Sequence, residues 1–530
     1  MKELRFPTSK KYWQPAVFFF LLFATAFLGF WWLKISTFYG LGLVNDSYAY
    51  VSGAINILKG NGYSQLSGGG EVSPITHFPP MFSILLALVG LLKIDILFAA
   101  RLVVLSLFGL NVILVGITLL VITRRYPVSL LGAFLSATSG VFLRTHSMLM
   151  SEPLFISLSL ISSLCLVVSF LHKRRTWLLL AGVLAGCATL TRYAGLASVL
   201  TALLTIAIFR RKVKSILSDA LFYVLGAIPL VIFWGLRNQL LTGTVANRQL
   251  LWHMPSWSNI ELGLFNFLAW IFPGGFLSWL QTQIYFAYAL TLFIGFVFLW
   301  LVITTFRSLY RCSQLDGQAD AGDKLFIYHL AYVVIYLGVI LATMIFFDAS
   351  TRFENRILAP MEVSFLIVIL AALAKWSERR PLFQKVLVIA FLVMFSWFWV
   401  REGRDTVELL GQDGQGYASL SWKNSSTIEY IRNLPPEIII YTNKNTGVFL
   451  QTGRSSYRVL SRTDPVTLKP RDNYEDLLAE IHRNVLAQKA VLIFFGADEQ
   501  TEPEDQAWLE DLRSGLTMFE KFSDSEVYDR

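Results

Sequence analysis

The chain has 530 residues, of which 55% are hydrophobic and only 15% charged, with 42 Phe and 15 Trp. That profile belongs to a protein that crosses a membrane many times and excludes an ordinary soluble fold. The formal net charge of +9 would suggest nucleic acid in a soluble chain, but here Lys and Arg gather in short loops between apolar runs, the bias that orients membrane spans, so membrane lipids are expected as surroundings and nucleic acid is not expected as a partner.

Lys2, Arg5, Lys10 and Lys11 precede the first apolar run, 15–33, which is too long and too aromatic for a cleaved signal and lacks a small-residue cleavage site. It reads as an anchor with a cytoplasmic N-terminus, so the residues after it lie outside. The stretch 44–80, VNDSYAYVSGAINILKGNGYSQLSGGGEVSPITHFPP, places Tyr48, Val51, Ile55 and Leu58 at three- and four-residue steps after Asp46. That spacing predicts an amphipathic helix along the membrane surface, ended by KGNG at 59–62. A Gly-rich loop and HFPP (77–80) follow, then a run at 81–92 that is too short to cross and reads as a second interfacial helix.

The next spans are 96–122, 128–143, 154–171, 177–190, 194–209 and 215–236, with Arg124 and Arg125, HKRR and RRKVK on the inner side and RTHSMLMSEP and TRYAG on the outer side. An outer loop from 237 to 263 holds Trp252, His253 and Trp257, and a broken apolar piece surrounds PGG at 273–275. Spans at 281–306, 325–347, 357–374 and 386–400 complete a count of about eleven, an odd number that leaves the tail outside. The fold class is therefore an α-helical polytopic membrane protein with interfacial helices, its membrane part covering 1–400 and its first outer loop 34–80.

From 401 the composition turns polar and charged. IIIYT (438–442), YEDLLAEIHRNVLAQK (474–489) and AVLIFFG (490–496) predict a small extracytoplasmic α/β domain over 401–530, large enough for its own core. GQDGQG (411–416) follows no strand and lacks a Lys-Ser/Thr pair, so it reads as a flexible linker and not as a phosphate loop. No internal repeat is evident, which weakens a two-halved transporter. Cys165, Cys187 and Cys312 have no paired spacing, so neither a disulfide framework nor a metal knuckle is indicated.

The topology places Asp46, His77, Glu152, Arg192, Arg237, Arg352 and Arg356 on the outer face, most of them near a span end. Ionisable groups at the hydrocarbon boundary are costly and are kept mostly for function or pairing. An acid pair with several arginines is the set that glycosyl transfer from an anionic lipid donor requires: one carboxylate, read as Asp46, deprotonates the acceptor, and guanidiniums hold the departing lipid phosphate. No nucleotide fold is needed, because the donor rises from the bilayer.

Structural readings stand beside these. Asp46 would equally suit a helix N-cap, and Glu152 before Pro153 suits a first turn. Arg192 and Arg237 could only anchor span ends, and Lys59 could only complement a helix C-terminus. His77 could be a solvated loop residue, an acceptor contact or a metal ligand, and His253 with its Trp neighbours suits an aromatic belt. The residues define no cofactor: one His and two acids are too few for a divalent metal site, so metal dependence stays open. A transporter or flippase of lipid-linked sugars would share the arginines, but would carry its ionisable groups at the bilayer midplane.

The order NDSYAY, HFPP, SEP, AGVLAGCATLTRYAGL and RILAP along 15–400 resembles the GT-C superfamily of membrane glycosyltransferases. The nearest likeness is to the bacterial branch of the protein O-mannosyltransferase and lipid A aminoarabinose-transferase group. The resemblance implies a hexosyl or pentosyl transferase of the cell's inner membrane, taking sugar from a polyprenyl phosphate or diphosphate to a lipid, glycan or protein acceptor outside. It implies Asp46 as first-loop acid and general base, Glu152 as the second acid with an accessory role in placing acceptor or metal, and Arg192 (of LTR) and Arg356 as phosphate contacts. Ile357 replaces the common Tyr of the late pattern and no second Pro follows Met361, which leaves the choice between Arg352 and Arg356 open. SYAY stands where the aminoarabinose branch has a basic residue, so that sugar is not assigned; sugar and acceptor are set by pocket shape.

Overall fold

Backbone that meets no water must satisfy its own hydrogen bonds, so apolar runs of this length fold as helices. The computed structural model describes residues 13–529 apart from 67, 69, 211, 273, 316–319, 379 and 500–502. The N-terminal cations Lys2, Arg5, Lys10 and Lys11 and the Pro273 of the expected break lie outside the described residues.

The membrane part runs α1 (Trp13–Ser36), α2 (Asn45–Leu58), β1 (Ser64–Leu66), β2 (Val72–Pro74), α3 (Met81–Gly90), α4 (Ile96–Thr123), α5 (Tyr126–Thr138), α6 (Gly140–His146), α7 (Glu152–His172) and α8 (Arg175–Thr189). It continues with α9 (Leu196–Phe209), α10 (Val213–Thr242), α11 (Trp257–Ala269), α12 (Gly274–Thr282), α13 (Ile284–Leu315), α14 (Ala321–Phe346), α15 (Asn355–Glu378) and α16 (Leu382–Asp413). Among the described residues seven helices are long and apolar enough to cross a membrane, or nine if each of two bent pairs is one span. An eleven-pass topology additionally requires the shorter apolar helices Arg175–Thr189 and Tyr193–Phe209 to cross.

Three features depart from the sequence reading. The run 128–143 is two helices, α5 and α6, bent by 58°. Ser139 sits at the break: its hydroxyl accepts from Phe142 N (3.1 Å) as the cap of α6, satisfying one amide of the interrupted backbone, and donates to the buried Glu362 (3.2 Å). Helix α16 does not stop where the composition changes at 401 but continues to Asp413. GQDGQG is not a flexible linker. Its first three residues finish α16, Gly414 and Gly416 turn the chain at φ of 72° and 54°, and Tyr417 N donates to Leu43 O (2.8 Å). A Cβ on Gly416 would lie 2.1 Å from Leu43 O, so only glycine allows this approach.

Beyond the turn lies an α/β unit with α17 (Leu420–Lys423), α18 (Ser426–Asn433), β3 (Ile439–Thr442), α19 (Asn445–Thr452), β4 (Tyr457–Arg458), α20 (Tyr474–Leu486), β5 (Ala490–Phe495), α21 (Pro503–Arg513), β6 (Met518–Lys521) and β7 (Ser525–Tyr528). Its five strands are ordered β4-β3-β5-β7-β6. β3 is parallel to β4 and β5, and helices make those crossovers, whereas β7 is antiparallel to β5 and β6. The central strand AVLIFF is buried throughout: Leu492 and Phe494 join Tyr441 in one core, while Val491, Ile493 and Phe495 join Ile440 in the other. The two-residue period thus fills both faces, and a continuous apolar run is what such a strand needs.

Candidate active site

Helix α2 begins at the end of the bundle that the C-terminal unit covers. Its free amides do not take Asp46 as a cap. Val44 N donates to Ser47 Oγ (3.0 Å), and Ser47 Oγ donates to Leu149 O (3.0 Å), which anchors the first turn to the segment before α7. Asp46 is left to face Arg356, whose Nη1 lies 3.2 Å from its Oδ2, across 310 positions of sequence. Arg356 stands in the first turn of α15 and also donates from Nε to Glu354 Oε2 (2.8 Å). One guanidinium is thereby shared by two carboxylates. The Asp46 and Arg356 side chains are 32% and 26% exposed, so both can be reached.

A second pair lies beside the first. Glu152 opens α7 with its side chain fully buried, and Arg192 Nη1 is 2.9 Å from its Oε1. The contact is one of charge, with neither carboxylate oxygen accepting a well-directed hydrogen bond among the described residues. Arg192 occupies the turn between α8 and the 3₁₀ turn Tyr193–Gly195, where burial opposes its charge and Glu152, followed by Tyr50 and Tyr336, outweighs that cost. Tyr50, four residues after Asp46 and so on the same side of α2, reaches toward the second pair: its hydroxyl meets Ser151 Oγ at 3.0 Å, and Arg192 Nη1 lies 3.5 Å from the same oxygen. Burial raises the Tyr50 phenol above its ordinary value, with Arg192 opposing and Asp46 and Glu152 adding.

His77 belongs to a neighbouring triad. Arg248 donates from Nη2 to His77 Nε2 (3.1 Å) and forms an ion pair with Asp348. A guanidinium only donates, so Nε2 is the acceptor and the ring is neutral with its proton on Nδ1. Burial, and then the Arg248 charge, accordingly holds His77 below its ordinary value. Burial alone would raise the Asp348 carboxyl, but Arg248 and Ser350 hold it below the usual carboxylate range. Its contribution to stability is complete above that range and is lost only as pH falls through the depressed value. Arg248→Ala, which strands a mostly buried Asp348, is expected to cost about 3–5 kcal/mol. The check is limited proteolysis of the 243–256 segment, which should be cut faster in the variant at pH 7; unchanged cutting would mean that the pair does not hold the loop.

Two expected residues do not join the cluster. Arg237 turns to the first loop, donating to Ile75 O (2.8 Å) and Tyr63 O (3.0 Å) with Trp234 packed 4.9 Å from its guanidinium. It clamps the β1–β2 hairpin, because a guanidinium's five donors in one plane can serve several carbonyls at once. Arg352 is exposed in the loop before α15, with no hydrogen bond or ion pair among the described residues. His253 is buried, and Trp252 and Trp257 are exposed. Among the described residues no group of three His, Cys, Asp or Glu could hold a metal ion, and both cluster acids are committed to arginines.

The C-terminal unit closes over this end. Tyr417 Oη donates to Asn45 Oδ1 (2.7 Å), next to Asp46. Phe449 packs edge-on against Tyr48 at 4.9 Å, and Ala349 N donates to Val466 O (3.1 Å). Arg248, Asp348, Glu354 and Tyr50 were not singled out from sequence. Asp348 and Glu354 lie in DASTRFENR, where their charge was the only available signal.

No protein-family model matches the chain, and a search of curated proteins finds no match. Solved structures do match. The chain is similar to ArnT from Cupriavidus metallidurans over 97% of its own length and 98% of that chain, with a TM-score of 0.56 and 11% identity to the apo state. Against the same protein bound to undecaprenyl phosphate the TM-score is 0.53 and the identity 12%, over the same shares of both chains. The archaeal oligosaccharyltransferase AglB from Archaeoglobus fulgidus, in complex with an inhibitory peptide and a dolichol-phosphate, matches with a TM-score of 0.56 and 11% identity, over 94% of this chain and 72% of that one.

Proposed function

We propose that this chain, which has the GT-C fold of those membrane enzymes, is a glycosyltransferase that moves a sugar from a polyprenyl-phosphate-linked donor to a lipid, glycan or protein acceptor on the outer face. The observation that carries the reading is the convergence of Asp46, Glu152, Arg192 and Arg356, from four separate elements, at one partly open position. Two of the similar structures hold a polyprenyl-type lipid phosphate, the chemical class that paired arginines recognise.

In the proposed step, the acceptor hydroxyl attacks the anomeric carbon from the side opposite the phosphate. Asp46 takes the hydroxyl proton as the new C–O bond forms. The bond to the lipid phosphate breaks, its electron pair leaves with the phosphate oxygen, and Arg356 and Arg192 offset that charge. Configuration at the sugar carbon is inverted. Glu152 is a positioning residue, holding the Arg192 fork at a fixed angle. The cluster lies at one end of the bundle, which favours transfer chemistry over carriage through the midplane. The N-terminus is cytoplasmic and the α/β unit beyond the Gly414–Gly416 turn lies outside, covering the site.

The test is reconstitution of the full chain in liposomes with an undecaprenyl-phosphate sugar and a membrane extract as acceptor source, followed by mass spectrometry. Release of sugar-free undecaprenyl phosphate together with a newly glycosylated acceptor is expected. Donor that changes leaflet but keeps its sugar would replace this reading with a flippase.

A further inference from the structure

A basic cavity lies at the opposite end of the bundle. Helix α7 starts at Glu152 and ends at His172; at 1.5 Å per residue its far end is about 30 Å from the cluster. There Lys173, Arg174, Arg175, Arg210, Lys214 and a single carboxylate, Asp219, line an open cavity of about 340 Å³. The excess of positive charge is not merely a flexible fringe. Close contact fixes the walls, since a Cβ on Gly182 of α8 would lie 2.0 Å from Tyr223 O of α10. Two of the arginines are held in place. Arg210 pairs with Asp219 at 2.6 Å and lies over Phe170, while Arg175 donates to Ser218 Oγ at 3.1 Å and lies over Phe222.

Lys173, Arg174 and Lys214 are different. No ion pair or hydrogen bond engages their side chains among the described residues, so three cations face one cavity without a counter-ion. Below them the surface is apolar and open: Leu217 and Leu221, one turn apart on α10, are 65% and 55% exposed, and Leu179 and Leu180 of α8 are also exposed. Loop orientation explains why cations lie on this side. It does not explain why they line one cavity, on the same helices as those exposed leucines.

We propose that this cavity binds the phosphodiester headgroup of an anionic glycerophospholipid in the membrane leaflet opposite the Asp46 cluster, with Leu217 and Leu221 against an acyl chain. The free cations carry the headgroup phosphate, and Ser218 and Ser215 supply hydroxyls for its glycerol oxygens. The apolar strip favours a lipid over free phosphate, which would gain nothing from it.

The test is native mass spectrometry of the delipidated full chain in detergent, titrated separately with phosphatidylglycerol and phosphatidylcholine. The variant Lys173→Gln/Arg174→Gln/Lys214→Gln removes three exposed side chains without touching the held arginines. Equal charge is removed elsewhere by Lys469→Gln/Arg483→Gln/Lys489→Gln, also exposed. Phosphatidylglycerol should be preferred by the wild type, and the cavity variant should lose about fivefold in affinity per cation, on the order of a hundredfold in all, while the control variant keeps it. Equal binding of the two lipids, or full preference in the cavity variant, overturns the proposal. Displacement of phosphatidylglycerol by millimolar inorganic phosphate would overturn it too, showing a site for a free anion.

Discussion

Asp46→Asn should lower sugar transfer by about 10²- to 10⁴-fold, the range for a lost general base, with the protein still folded. The substitution keeps the shape of the side chain and removes its charge and its ability to take a proton. Stability should change little, because Ser47 and not Asp46 satisfies the start of α2. What is lost is a partly exposed pair with Arg356, worth up to about 1 kcal/mol. The capping reading predicts the reverse: about 0.5–2 kcal/mol lost from the helix with turnover intact. Measuring transfer of radiolabelled sugar and thermal unfolding on the same preparation separates the two. Wild-type turnover in Asp46→Asn would remove it as the base.

Much of the helical order is written locally. The 96–122 run becomes α4 with one residue added, and the step pattern after Asp46 becomes α2 ending before Lys59, because length and 3.6-residue periodicity need no partner to be read. Features that depend on a partner were not legible. The Ser139–Gly140 pair in ATSGV is a weak local signal for a bend, but the buried Glu362 of α15 to which Ser139 donates could not be read from it. GQDGQG has the composition of a linker, and its order comes from Leu43, more than 350 positions away. The cluster shows the same division. Loop charge placed Asp46, Glu152, Arg192 and Arg356 on one face, but could not tell them from Arg237, which satisfies hairpin carbonyls, or foresee Arg248, which sits in a polar loop without periodicity.

Arg356→Ala should weaken binding of undecaprenyl phosphate and lower transfer by about 10²- to 10³-fold, the scale for removing a preorganised charge-stabilising donor. Arg352→Ala should stay within a few-fold of wild type, because that side chain is exposed and, among the described residues, pairs with neither acid. Arg356→Lys should recover only part of the loss, since an ammonium keeps the charge but not the two-pronged geometry. The resting contact makes a sharper demand. Arg356 is held at 3.2 Å by Asp46 and at 2.8 Å by Glu354, so an arriving phosphate competes with those carboxylates for the same guanidinium. Neutralising Asp46 removes one competitor. Asp46→Asn should therefore bind undecaprenyl phosphate at least as tightly as wild type while failing to turn over, and Arg356→Ala should fail at both. Fluorescence titration with the lipid phosphate reads this directly; identical affinities in all three proteins would reduce Arg356 to a tether between α15 and α2.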